Sequence, residues 1–225
     1  MQPRKLAKAL NGAGVAAFAW AWLFPHPYGA LVAALAAVPW LAVIFVSRSG
    51  GRYRILARRK DPHPGLGALV LLPGLALAIL AIDHVHLIDR KPALGAAAIG
   101  GLAFTFVLVI VDPTLRERRA MLVVLLLLMG AYAYGATVQT DALLDATPAK
   151  VIVVSVVGKW DFYGRYVRNW YIQLAPWGPR REVSDVSVRR ALYDFAKIGD
   201  TVCVHLRPGA LWMPWYYVTP CLTQP

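Results

Sequence analysis

Asp83, His84, His86 and Asp89 are the densest group of metal-capable side chains in this chain. In an extended segment the two histidines of an HxH pair lie on one face, and a carboxylate would complete a zinc or copper set. The pattern is short, however, and polar residues at the edge of a hydrophobic segment need no ligand, so no metal and no other cofactor is expected. A membrane enzyme acting on a lipid or cell-wall precursor would have to draw on the same four residues. Phosphate-binding glycine loops, a GxSxG elbow and an HExxH helix do not occur in the sequence, and no catalytic residue is assigned.

The two cysteines, Cys203 and Cys221, form no CxxC pair, which argues against a zinc ribbon or a redox motif. In an oxidising compartment they are expected to form a disulfide, worth roughly 3 kcal/mol for a loop of that length. Around them lie more aromatic side chains than one small core can hold. Trp160, Tyr163, Trp170, Trp177, Trp212 and Trp215 are interleaved with Arg165, Arg168 and Arg180. Aromatic and arginine side chains in this mixture are the usual anchors of protein-binding surfaces. The same mixture would suit a glycan or the headgroups of a membrane.

The elements that must position these residues follow from composition. Of 225 residues, 58% are hydrophobic and only 16% charged, against about 25% charged in an ordinary soluble domain. Five apolar stretches approach the roughly 20 residues needed to cross a bilayer. They run over 9–24, 28–46, 66–82, 93–111 and 120–138, and none contains Asp, Glu, Lys, Arg or His. The first is the shortest. Its basic start resembles a signal peptide, but no small-residue cleavage site precedes the next stretch, so it is read as a retained helix. The absence of ionisable residues argues against ion-coupled transport, a proton channel or an intramembrane protease. Small-xxx-small pairs such as Ala96/Gly100 and Ala97/Gly101 are read as packing within the chain's own bundle.

The net charge of +12 first suggests nucleic acid, but its distribution explains it differently. Three basic residues precede the first stretch, six lie between the second and third, and three between the fourth and fifth. The two intervening loops hold none and two. By the positive-inside rule the amino terminus is cytoplasmic. Five crossings then put the C-terminal segment outside. Short loops and arginine usage suggest a bacterial inner membrane with a periplasmic tail, and no nucleic-acid partner.

From residue 150 the pattern changes to alternation. Residues 150–157, 166–174, 201–206 and 215–218 read as strands, with 158–164 as a hairpin and 181–183 as a further short strand. Val188, Leu192, Phe195 and Ile198 recur at helical spacing, with Gly199 as a C-terminal stop. The expected fold is thus a transmembrane helical domain over 1–138 followed, over 150–225, by a small extracytoplasmic α+β domain with an OB- or SH3-like β-barrel. The expected function is non-enzymatic. The helices anchor a β-domain that contacts a protein partner, or a second copy of the chain, in an envelope assembly as scaffold, accessory or regulatory subunit. The alternative is a subunit of an oligomeric transporter or channel.

Overall fold

A computed structural model describes residues 2–57, 61–164 and 168–221. The chain divides into two compact units. Residues 1–84 and 91–143 form a helical unit, and residues 85–90 and 144–225 form a sheet unit.

The helical unit contains α1 (Pro3–Leu23), α2 (Tyr28–Arg48), α3 (Gly67–His84), α4 (Lys91–Val111) and α5 (Arg119–Leu143), with a 3-10 turn at Pro113–Glu117. Four helices, α2 to α5, are long and apolar enough to cross a membrane. That differs from the five spans expected. The helix at the N-terminus has the length, but Arg4, Lys5 and Lys8 occupy its first two turns.

The apolar side chains of α2 to α5 run all the way round each helix. Leu31, Leu35, Leu77, Leu108 and Leu125 are fully buried, while Ile99 (73% exposed), Leu102 and Phe106 of α4 and Leu127 of α5 point outward. In water such faces would be covered, whereas a lipid solvent leaves them stable where they are. α3 packs against α1, α2 and α5, and α4 packs on α5. The approach between α3 and α5 depends on Gly135. A Cβ there would lie 2.6 Å from the backbone at Leu77 and Ala78. Gly101 meets Gly130 in the same way between α4 and α5, so one of the small-residue pairs serves contacts inside the bundle.

Several polar groups inside this unit are paired within it. Asn11 of α1 donates to the Gly65 carbonyl at 2.8 Å and accepts from the Leu69 amide at 3.2 Å, satisfying an otherwise open N–H in the first turn of α3. Tyr132 donates to the Ala36 carbonyl at 2.7 Å, in the turn before Pro39. Asp112, fully buried, accepts from the Ile55 amide at 2.9 Å and the Thr114 hydroxyl at 2.7 Å, with Arg54 at 3.4 Å. One carboxylate therefore holds the loop after α2 to the end of α4.

The sheet unit has β1 (His86–Leu87), β2 (Lys150–Tyr163), β3 (Arg168–Leu174), β4 (Ser184–Val188), β5 (Thr201–Arg207) and β6 (Trp215–Pro220), with α6 (Arg190–Phe195). Among the described residues these strands form one antiparallel sheet in the order β1-β6-β5-β2-β3-β4. It is a curled half-barrel, with β1 and β4 at its edges.

The curl originates in β2. Its first half pairs with β5, from Lys150 opposite Leu206 to Ser155 opposite Thr201. Its second half pairs with β3, from Val156 opposite Leu174 to Tyr163 opposite Arg168. The register shifts between Val156 and Gly158, and such a bulge bends a strand and increases its twist. A Cβ at Gly158 would meet the Gln173 side chain, whose flexible amide end would have to move aside. The concave face carries the core: Val154, Val156, Ile172, Leu174, Val186, Val202, Val204 and Tyr216, closed over by Trp177, Leu192 and Ala196.

Three local expectations are corrected. The segment 158–163 is strand rather than hairpin turn, because its glycine serves a bulge. The third strand of the tail is Ser184–Val188 rather than 181–183. The helix is a short turn, Arg190–Phe195, and Phe195 and Ile198 are exposed. Val188 belongs to β4, so the apparent helical stripe crosses two elements.

Candidate functional site

The second half of β2 and its partner β3 extend as an arm whose side chains are tied to one another. Trp160 stacks on Tyr171, its cross-strand neighbour, at 4.2 Å between ring centroids and 11° between planes. Its indole N–H donates to Asp185 of β4 at 2.8 Å. Asp161 accepts from Arg168 at 2.7 Å across the same strand pair. Lys159 donates to the Ala196 carbonyl at 2.6 Å and to the Tyr193 carbonyl, and its ammonium lies 4.2 Å from the Tyr193 ring centroid. Beyond these tethers Phe162 and Tyr163 (80% exposed) project from the end of β2. Held aromatic side chains lose little entropy on binding, which is what makes them efficient anchors.

The remaining aromatic candidates are distributed elsewhere. Trp170 is half-buried on β3. Trp177 is not a surface residue: it is 4% exposed and packs edge-on against Tyr216 at 4.9 Å. Separated from the end of β3 by two residues, it opens the bridged turn that closes on Arg180, which its neighbouring prolines do not reveal. Arg180 stands 5.9 Å from the Tyr216 ring and donates to the Leu87 carbonyl at 3.4 Å. Burial pushes the Tyr216 hydroxyl pKa above its ordinary value, against the opposing effect of the Arg180 and Arg90 charges. Trp212 is exposed in the β5–β6 connection, and Trp215 begins β6. Arg165 lies outside the described residues.

The convex face of β2, β5 and β6 carries a second group. Cross-strand neighbours share a face, and here they are Val153, Cys203 and Thr219, then Val151, His205 and Tyr217. His205 lies flat on Tyr217 at 4.6 Å, with its Nε2 2.9 Å from the Thr219 hydroxyl. Cys203 and Cys221 are joined as a disulfide, with their Cα atoms 4.9 Å apart. It closes the end of β6 against β5.

Asp145 anchors this side of the sheet unit. Its carboxylate accepts from the amides of Thr147 at 2.9 Å and Gly209 at 3.0 Å, and from the Trp215 indole at 3.3 Å. Its carbonyl accepts from Arg207 at 2.9 Å. Burial alone would raise this carboxyl's pKa, but the donated hydrogen bonds outweigh it and the net displacement is downward.

The metal candidates do not stay on one extended segment. Asp83 and His84 end α3 in the helical unit, while His86 pairs with Tyr216 on β1 and packs on its ring at 5.4 Å; Asp89 follows in the same sheet-unit segment. His84 Nδ1 bonds the Leu80 carbonyl at 3.2 Å, and its ring lies 5.4 Å from Tyr28. Among the described residues no three His, Cys, Asp or Glu side chains converge to hold a metal. Asp83 and His84 instead edge an otherwise apolar cavity of about 240 Å³ lined by Phe18, Trp22, Ala76 and Leu80.

Sequence reasoning missed the polar end of α5. Gln139 and Asp141 are fully buried there, and Gln139 exchanges hydrogen bonds of 2.7 and 3.0 Å with the Tyr28 hydroxyl. The available signal was a polar i, i+2 pair at the end of an apolar helix. No family model, curated protein or solved structure matches this chain.

Proposed function

We propose that the helices anchor this chain in a bacterial inner membrane and present the sheet unit in the periplasm, where the β2–β3 arm docks a protein of an envelope assembly. The protein acts as a scaffold, accessory or regulatory subunit and catalyses no reaction of its own. The observation that carries the reading is the arm itself. Phe162 and Tyr163 project from strands braced by the Asp161–Arg168 pair and the Trp160–Asp185 hydrogen bond.

Three further elements belong to this proposal. α1 is a fifth crossing, supported by its length and by the Asn11 hydrogen bonds to α3. With five crossings, the arginine distribution puts the amino terminus in the cytoplasm and the sheet unit outside. The curled sheet is an open relative of the small OB- or SH3-type barrels, supported by its antiparallel order and the bend in β2.

A photo-crosslinking residue placed at 163 in living cells tests the docking. The expected result is one protein adduct at 163 that is lacking with the same probe at 194 on α6. Adducts with lipid alone, or equal adducts at both positions, would contradict it. A second copy of the chain as the adduct would make the arm an oligomerisation element.

A further inference from the structure

The β5–β6 connection, residues 208–214, turns two large apolar side chains outward while its backbone is tied down. Trp212 is 86% exposed and Leu211 is 49% exposed, while Met213 of the same loop is buried. Trp212 has φ of 61°, in the left-handed region that side-chain-bearing residues seldom occupy. Its amide closes a turn onto the Gly209 carbonyl at 3.3 Å.

The loop's two tethers say where it is. Gly209 is held by the carboxylate of Asp145, the second residue after Leu143, which ends α5. Pro214 accepts from the Ile88 amide at 2.9 Å, and Ile88 lies in the short link between His84, the end of α3, and Lys91, the start of α4. A residue spans at most about 3.6 Å. Chain continuity alone therefore keeps the loop within a few residues' reach of the ends of three membrane-crossing helices.

Arginines stand at the loop's base. Arg207 lies 5.7 Å from the Trp215 ring, and Arg180 lies over Tyr216. Tryptophan beside arginine is the composition of a membrane–water interface, where the indole sits at headgroup depth and the guanidinium meets phosphate.

We propose that Leu211 and Trp212 insert into the headgroup region of the phospholipid bilayer that the helices cross, so that this loop is a second, non-helical attachment of the sheet unit to the membrane. The occupant is phospholipid rather than a protein partner. This assignment does not depend on the β2–β3 arm.

The test uses the full chain in liposomes, with bimane on Trp212→Cys and, separately, on Asp194→Cys. The native cysteines stay oxidised, which a non-reducing gel verifies for each variant. Brominated phospholipids should quench the probe at 212 several-fold more than at 194, and bromines near the headgroup more than those near the acyl terminus. Equal, weak quenching at both positions would overturn the proposal. A photo-crosslinker at 211, which keeps Trp212, provides a second readout. Lipid adducts support insertion, and protein adducts in their place would overturn it.

Discussion

The helical unit and the sheet unit dispose of their polar and apolar groups in opposite senses. In the helical unit the outward side chains are Ile99, Leu102, Phe106 and Leu127, while Asp112, Gln139 and Asp141 are fully buried. In the sheet unit Val202, Val204, Ile172 and Leu174 are buried, and Lys150 and Ser155 of β2 and Asp185 and Ser187 of β4 are exposed. The first arrangement fits hydrocarbon, where any polar group must find its partner within the protein. The second fits water, where apolar burial supplies the stability. One chain folds against two solvents, and the change occurs within a few residues of Leu143.

Damage to one unit should therefore leave the other standing. The largest effect is expected from Gly135→Val, which forces a side chain against the backbone at Leu77 and Ala78. Overpacking of this kind costs about 3 kcal/mol, and the neighbouring atoms are backbone that cannot turn aside. The variant should lose thermal stability of the helical unit in detergent while the 203–221 disulfide still forms. Cys203→Ser should do the reverse. It removes a link across a sequence separation of 18, worth about 3 kcal/mol. Limited proteolysis should then cut within 144–221 and spare the helices.

Acid should act selectively as well. The Asp145 carboxyl is displaced downward from its ordinary value of 3.8. A depressed folded-state pKa contributes stability that is present above the unfolded value and is lost as pH falls through the folded value. Below about pH 3.8 the hold on Gly209 and Trp215 should weaken, read as faster amide exchange at Gly209. Asp145→Asn should flatten that acid dependence. The smallest effect belongs to Arg168→Ala, which breaks an exposed ion pair with Asp161 worth about 0.5 kcal/mol. Crosslinking from position 163 should fall in this variant although the melting temperature barely moves.

The sequence showed the helices better than the sheet, for physical reasons. A bilayer sets the length of an apolar run, so 28–46, 93–111 and 120–138 fall inside α2, α4 and α5, and 66–82 begins one residue before α3. The last helix continues to Leu143 because Tyr28, far away in the chain, supplies a partner for Gln139. No local pattern contains that contact. β1 was invisible for the same reason: two residues become a strand only because β6 lies beside them. Gly158 read as a turn because a glycine inside a strand signals either a turn or a bulge. The aromatic–arginine composition was legible, but its division was not. Trp177 went to the core, Trp160 to the braced arm and Trp212 to an exposed loop, each decided by tertiary neighbours.

The proposal on which the rest depends is that the apolar helices hold the sheet unit outside the cytoplasm. Labelling Cys203 and Cys221 with a membrane-impermeant thiol reagent tests it most directly, in intact and lysed cells, with and without prior reduction. Both cysteines are half-buried at the sheet's end and joined as a disulfide. Labelling of intact cells only after reduction is the expected result. Labelling that requires lysis and no reductant would contradict it, placing the sheet unit in the cytoplasm and leaving α1 outside the count of crossings.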